Sequence, residues 1–167
     1  LLEPNIKRSR GGLRDLQLLR WLGFALHGVT DPDALEKLGA ISKRDQGTLR
    51  DATEFLLRLR NELHFHAEKS NDVLDRAEQL RLAPLYGFQG TEGILPVEQF
   101  MREYFHHTQG VRSVLGNFMA SSRPGERWND FWGAIFSHEV AGDYKVTFRQ
   151  IVAKQRVLPR LKTSLAE

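Results

Sequence analysis

Leu49, Ala52, Leu56, Leu59 and Leu63 recur at alternating steps of three and four, with Arg50, Asp51, Glu54, Arg58 and Glu62 between them. That pattern predicts one apolar stripe on a long helix. A second stripe, Val97, Met101, Tyr104, Thr108, Val111, Leu115 and Phe118, opens just after Pro96, a residue well suited to a first helical turn. Two helices of this length can pack antiparallel. Residues 13–26 supply a third helix, broad in its apolar face and stopped near Gly28, while Thr30-Asp31-Pro32 caps a short one that ends at Gly39. Residues 75–85 give a further helix, stopped at Tyr86-Gly87, and residues 87–95 are the main internal loop.

Past residue 122 the character changes. Trp128, Phe131, Trp132, Ile135 and Phe136 form an aromatic segment that reads as a short helix packed on the bundle, and residues 143–148 alternate like a short strand. From Pro159 onward the chain is helical and basic and has no evident partner, as expected of a lead-in to another domain. The expected fold is therefore all-α, an antiparallel helical bundle with at most one small strand pair near residues 140–150. The expected divisions are a loop and the tail end of a preceding domain over 1–12, the bundle over 13–122, and an aromatic and basic lead-in over 123–167.

Composition narrows the class. A chain of 167 residues that is 41% hydrophobic, with 10 Phe and 3 Trp, can bury one substantial core. No apolar run approaches the roughly 18 residues a membrane span needs, and no targeting or lipidation motif is present. The absence of cysteine fits a cytoplasmic location. A start at Leu1 inside what reads as a loop suggests a piece of a longer chain.

The net charge of +3 is unevenly distributed. Residues 1–20 carry a net +3 and residues 144–167 a net +5, so the centre is −5. A general nucleic-acid binder spreads positive charge along a face with interleaved aromatics, and the acidic centre argues against that. The basic ends suit a local phosphate site and a domain linker.

The candidate chemistry lies at the start of the chain. Lys7, a short basic run, Gly11-Gly12, then Arg14 and Asp15 precede the leucine-rich helix, so backbone N–H groups at its N-terminus would face the same space as Lys7 and Arg14. A solvated basic loop is the plainer reading of the same residues. Asp15 would orient Arg14 or cap the helix.

The six histidines invite a metal reading, but His64 and His66 at i and i+2 point about 200° apart on a helix, and the adjacent His106 and His107 about 100° apart. Neither pair chelates in a regular helix, so no metal site is expected. Arg60 and His64 share a face, and Asp72 follows after a turn-like Lys69-Ser70-Asn71. These three, with Glu3, are candidates for a polar contact to substrate or to a neighbouring domain, or for a helix-end hydrogen-bond network. No complete catalytic constellation is present.

Several ordered blocks carry a resemblance: Leu2-Glu3-Pro4-Asn5-Ile6-Lys7, Gly11-Gly12-Leu13-Arg14-Asp15-Leu16-Gln17, Arg60-Asn61-Glu62-Leu63-His64-Phe65-His66, Asn71-Asp72-Val73-Leu74 and Val97-Glu98-Gln99-Phe100-Met101-Arg102-Glu103-Tyr104-Phe105. In order and spacing the chain resembles, over roughly residues 1–120, the bacterial PII uridylyltransferase/uridylyl-removing enzymes of the GlnD type. The glycine block is also similar to one in glutamine synthetase adenylyltransferases. The resemblance implies a parent enzyme with a nucleotidyltransferase domain, an all-helical domain, an HD-type domain and ligand-sensing ACT domains. This chain corresponds to the helical one. The Gly-Ser and His-Asp dipeptides of the flanking domains are absent here, so Mg²⁺, UTP and the PII signalling protein are expected of the parent, and the isolated chain is expected to be inactive. In that setting Lys7, Gly11, Gly12, Arg14 and Asp15 would hold nucleotide phosphates or position the incoming protein. Nucleic-acid and membrane partners are not expected. The alternatives are a helical protein-interaction module without a transferase role, and the equivalent domain of an adenylyltransferase relative.

Overall fold

The computed structural model describes residues 3–121, 138–140, 144–146 and 151–153. The chain divides into two compact units, Leu1–Ser121 and Ser122–Glu167. The first is built from five helices: α1 (Leu13–His27), α2 (Pro32–Lys37), α3 (Lys43–Ala67), α4 (Arg76–Leu85) and α5 (Pro96–Ser121). The fold class is all-α, as the periodicity predicts.

The helix ends follow local chemistry. Ser42 and Asp45 form a reciprocal capping box at the start of α3. The Asp75 carboxylate accepts the Glu78 amide at the start of α4. Gly28 closes α1 at φ 74°, a left-handed conformation that glycine adopts without penalty. Asp31 occupies the N-cap position of α2, but its side chain makes no capping bond there and Pro32 carries the first turn.

Helices α3 and α5 form the spine. Thr48 lies against Gly110, whereas Phe55 lies against His107 and Phe100. As α3 advances, α5 recedes, so the two are antiparallel. The predicted stripe of α3 is the buried one: Leu49, Ala52, Leu56, Leu59 and Leu63 are all 0% exposed. On α5 the buried stripe differs in two respects: Phe100 is fully buried while Met101 is partly exposed, and Val114 joins the predicted positions. A step through either Phe100 or Met101 satisfies helical spacing from Val97 to Tyr104. The phenyl ring takes the core because it completes an edge-to-face aromatic cluster with Tyr86 and Phe88 and a tilted contact with Phe55. Helix α4 packs on α5, α1 packs on α3 and α5, and α2 packs on α3 and α1.

Residues 3–12 are fastened to this helical unit. Ile6 donates its N–H to Asp72 O at 2.8 Å, and Leu74 donates to Pro4 O at 2.9 Å. The bridge places Asn5 beside Val73 and buries Ile6 and Leu74 completely.

In the second unit three short strands, β1 (His138–Val140), β2 (Tyr144–Val146) and β3 (Ile151–Ala153), pair antiparallel in the order β1-β2-β3. The alternating segment expected as a strand contains β2. The β-branched pair Ile151-Val152 adds a third strand to the single pair expected from sequence. The predicted aromatic helix around Trp128–Phe136 positions and the basic segment after Pro159 lie outside the described residues.

One glycine joins the first loop to the core. A Cβ on Gly11 would lie 1.9 Å from Thr108 O in α5, and its φ is +77°. Gly11→Ala is therefore expected to lower stability by more than about 2 kcal/mol, from left-handed strain and a displaced α5 backbone together. Gly28→Ala, at φ +74° with nothing within 4 Å, bears the conformational cost alone, on the order of 1 kcal/mol. Thermal melts of the two variants side by side check this, and equal losses would refute the close approach.

Candidate functional site

The turn before α1 was expected to offer free backbone amides to an anion. Instead its amides are consumed inside the chain. Gly12 donates to Ser9 O at 2.9 Å, Leu13 to Ile6 O at 3.0 Å and Arg14 to Lys7 O at 3.0 Å. Gly11 donates to the Asp15 carboxylate at 2.6 Å. The anion at this positive helix end is thus Asp15 itself, which answers the helix dipole from the first turn. The Gly11 and Gly12 amides are therefore not free to form a cradle for phosphate, and of the two roles expected of Asp15, orienting Arg14 or capping the helix, its carboxylate takes the one at the helix end. Both glycines serve close packing: a Cβ on Gly12 would stand 2.5 Å from Ile6 O, so no capping side chain fits there.

Side chains, not amides, carry the positive charge of this loop. The Asn5 carboxamide oxygen accepts the Lys7 and Arg8 amides at 3.1 and 2.8 Å, and Ser9 Oγ accepts the Asn5 amide at 3.0 Å. This turn fixes the backbone from which Lys7 projects. Lys7 and Arg14 both line a groove of about 810 Å³ between α1 and α3. Neither side chain has a hydrogen bond or ion-pair partner among the described residues.

The groove walls are two exposed stripes. Arg14, Gln17 and Trp21 follow one another at helical spacing on α1, and Arg50, Thr53, Leu57 and Arg60 do so on α3. Lys7 stands toward the end formed by Arg14 and Arg60, while Asp31, Pro32 and Asp33 lie toward the opposite end, and Arg20 and Arg50 line the groove as well. Sequence reasoning found Lys7, Arg14 and Arg60 but missed Trp21, Arg50, Thr53 and Leu57. The available signal was that Trp21 and Leu57 are large apolar residues off the buried stripes, and they are 61% and 44% exposed.

Arg60, His64 and Asp72 do come together. Arg60 Nε donates to Asp72 Oδ1 at 2.8 Å, and His64 Nε2 lies 3.0 Å from the same oxygen. A carboxylate only accepts, so Nε2 carries the proton in this contact. The Asp72 side chain is 15% exposed. Burial pushes its carboxyl upward, but hydrogen bonds and charge from Arg60 and His64 outweigh that, and it titrates below the ordinary carboxylate range. Because the backbone carbonyl of Asp72 also receives the Ile6 amide, the cluster ties α3 to the loop that presents Lys7. Glu3 is exposed.

His66 turns to a different carboxylate. Its Nδ1 lies 2.6 Å from Glu78 Oε1, and Arg81 binds Glu78 Oε2 at 2.6 and 3.0 Å. Glu78 is only 7% exposed and is held from both sides, by the Arg81 guanidinium and the His66 ring. His107 stacks on Phe55 with centroids 4.5 Å apart, and burial lowers its pKa against the opposing pull of Glu103. The phenols of Tyr86 and Tyr104 are pushed up to about 12 by burial and stay protonated. Among the described residues no group of three or more His, Asp or Glu is placed to hold a metal ion, and no helix is long and apolar enough to cross a membrane.

Residues 1–119 match the family described as GlnD PII-uridylyltransferase. A bifunctional uridylyltransferase/uridylyl-removing enzyme of Cereibacter sphaeroides is 37% identical over 120 residues, which is 72% of this chain and 13% of that protein. The enzymes of the same name from Ectopseudomonas mendocina and Pseudomonas savastanoi pv. phaseolicola are each 36% identical over 113 residues, 68% of this chain and 13% of theirs. The chain thus spans about 13% of the length of these relatives. No solved structure matches it at a significant level.

The Asp72 cluster sets a pH-dependent stability. A carboxyl whose folded pKa is depressed stabilises the fold fully above its unfolded value, about 3.9, and that contribution is lost as pH falls through the folded value. Asp72→Asn should cost on the order of 1–3 kcal/mol at pH 7, the worth of charge-assisted hydrogen bonds. The gap between the wild type and Asp72→Asn should narrow below about pH 4. Denaturant titrations of both proteins between pH 7 and 3 measure it, and a gap independent of pH would show that Asp72 contributes no charge.

Proposed function

The chain belongs to the GlnD PII-uridylyltransferase family, and from that premise we propose that it is the helical substrate-binding domain of a uridylyltransferase that modifies a PII signalling protein. In this reading a nucleotidyltransferase domain precedes it and an HD-type domain follows it in a cytoplasmic parent enzyme. Mg²⁺ and the in-line phosphoryl chemistry lie with the preceding domain. The helical domain binds and orients.

The observation that carries this reading is the pair Lys7 and Arg14, two cations without a partner among the described residues at one end of the α1–α3 groove. Two uncompensated cations on a fixed backbone suit a triphosphate, because the loop and the first turn of α1 are already folded and only the two side chains remain to be ordered on binding. Arg60 adds to the same end. Its Nε is committed to Asp72, while its terminal nitrogens retain donor capacity. The three cations, with Lys7 placed by Asn5 and Arg60 placed by Asp72, form a preset electrostatic end wall.

Two measurements test the reading. The 167-residue chain alone should transfer no nucleotide from UTP or ATP to PII, because it supplies binding groups and not the metal-held phosphoryl machinery. In the intact enzyme, Lys7→Ala and Arg14→Ala should each slow transfer or weaken UTP binding by on the order of 10-fold or more, with melting temperature unchanged. Gly12→Val should differ from both by lowering the melting temperature, since its Cβ meets Ile6 O. Unchanged kinetics at both basic positions would refute the phosphate role, because exposed cations without a ligand are worth under about 1 kcal/mol.

A further inference from the structure

Five cations line the α1–α3 groove, Lys7, Arg14, Arg20, Arg50 and Arg60, against the three carboxylates of Asp31, Asp33 and Glu54. A concave surface with this balance raises the local concentration of small anions. Four of the five cations are guanidinium groups, which stay charged in proteins and bind phosphate through a rigid planar fork. Lys7 differs in kind. Its amine can release a proton, and the neutral amine is a nucleophile. Lys37, Lys43 and Lys69 are exposed and do not line the groove. The Arg14 N–H donates to Lys7 O at 3.0 Å, so the amine and a guanidinium rise from hydrogen-bonded neighbours on a turn already fixed by Asn5. An anion held by Arg14 therefore meets a nucleophile rooted beside it.

Resting on the phosphate reading above, we infer that Lys7 is a modification site for small acyl phosphates, and that its acylation regulates the anion end of the groove. The phosphate group of such a donor is held by Arg14 and by the terminal nitrogens of Arg60, whose Nε is committed to Asp72. Its carbonyl, separated from phosphorus by one bridging oxygen, then lies beside Lys7 Nζ. The neutral Nζ attacks the acyl carbon and a C–N bond forms. The bond from that carbon to the bridging oxygen breaks, its electron pair leaves with inorganic phosphate, and the proton lost by nitrogen goes to that phosphate. Nothing is oxidised or reduced. An acyl thioester of coenzyme A fits less well, because a long flexible arm separates its phosphates from the reacting carbonyl, so holding the phosphates does not place the carbonyl. The product amide has lost the charge of the ammonium group. The groove end then retains Arg14 and Arg60 without the cation that the Asn5 turn positions.

Incubation of the full 167-residue chain with acetyl phosphate, followed by peptide mass spectrometry, tests this. Lys7 is expected to be acetylated on the order of 10-fold faster than Lys37, Lys43 or Lys69. That preference should disappear with an uncharged N-hydroxysuccinimide ester of acetate, shrink in Arg14→Ala, and be suppressed by inorganic tripolyphosphate. In calorimetry the acetylated chain and Lys7→Gln should both bind tripolyphosphate on the order of 10-fold more weakly than the unmodified chain. Lys7→Arg should keep its affinity and lose its sensitivity to acetyl phosphate. Equal rates at the four lysines, or the same Lys7 preference with the uncharged ester, would overturn the inference. Equal preference with acetyl-coenzyme A would do so too, by assigning the amine to thioester donors. In each of those cases, tripolyphosphate binding that depends on Arg14 leaves the phosphate reading standing, whereas a chain that binds no tripolyphosphate removes both.

Discussion

The structure turns on how the first turn of α1 is satisfied. A helix leaves its first amides without partners, and an apolar leucine-rich helix that begins inside a folded unit must supply them. Here the carbonyls of Ile6, Lys7 and Ser9 and the carboxylate of Asp15 do so. That solution demands that the loop curl back over the helix end, which brings Gly11 against Thr108 and Gly12 against Ile6 so closely that no side chain fits at either place. It also pairs Ile6 with Asp72 and Pro4 with Leu74. The double glycine, the Asp15 side chain and the Asn5 turn are consequences of one requirement, and their product is a rigid loop from which Lys7 projects.

The same requirement leaves the amides of this loop committed within the chain and only its side chains free to meet an anion. A phosphate cradle of the glycine-rich kind needs several amides pointing at one empty space. Asp15 already occupies the positive end of α1, so a ligand there would compete with a covalently tethered carboxylate. Lys7 and Arg14 escape that competition because they reach past the helix end into the groove. The loop's amides are thus satisfied without a ligand, and its side-chain charge remains available.

Much of the fold was legible in the sequence because long helices repeat their burial pattern many times. Five leucine or alanine positions on α3 agree with one face, and no alternative period fits them. Helix ends at Gly28 and Asp75 were legible for the same local reason: left-handed glycine and a capping carboxylate act within a few residues. The choice of Phe100 over Met101 was not, since both satisfy helical spacing and the decision came from aromatic partners at positions 55, 86 and 88, far away in sequence. The site divided along the same line. Arg60 with His64 follows from i,i+4 geometry, and Asp72 joins them after a short turn. The fate of the Gly11 and Gly12 amides depended on how the loop folds back, which composition does not encode. Trp21 and Leu57 became groove residues only once α1 and α3 were placed beside each other.

Helix α3 then does two tasks with adjacent faces. Its buried face, Leu49 to Leu63, holds α5, whereas Arg50, Thr53, Leu57 and Arg60 form a groove wall. The two stripes are interleaved one residue apart, so any rotation of α3 that improved packing would swing the wall with it. Rotation is resisted at the C-terminal end by Asp72, which holds both Arg60 and His64 and, through its carbonyl, the Ile6 amide. Arg60 belongs at once to the groove and to this clamp. Asp72 therefore joins the backbone that carries Lys7 to Arg60, gripping the helix with its carboxylate and the loop with its carbonyl, and it acts together with the Pro4–Leu74 bond and the Asn5 turn.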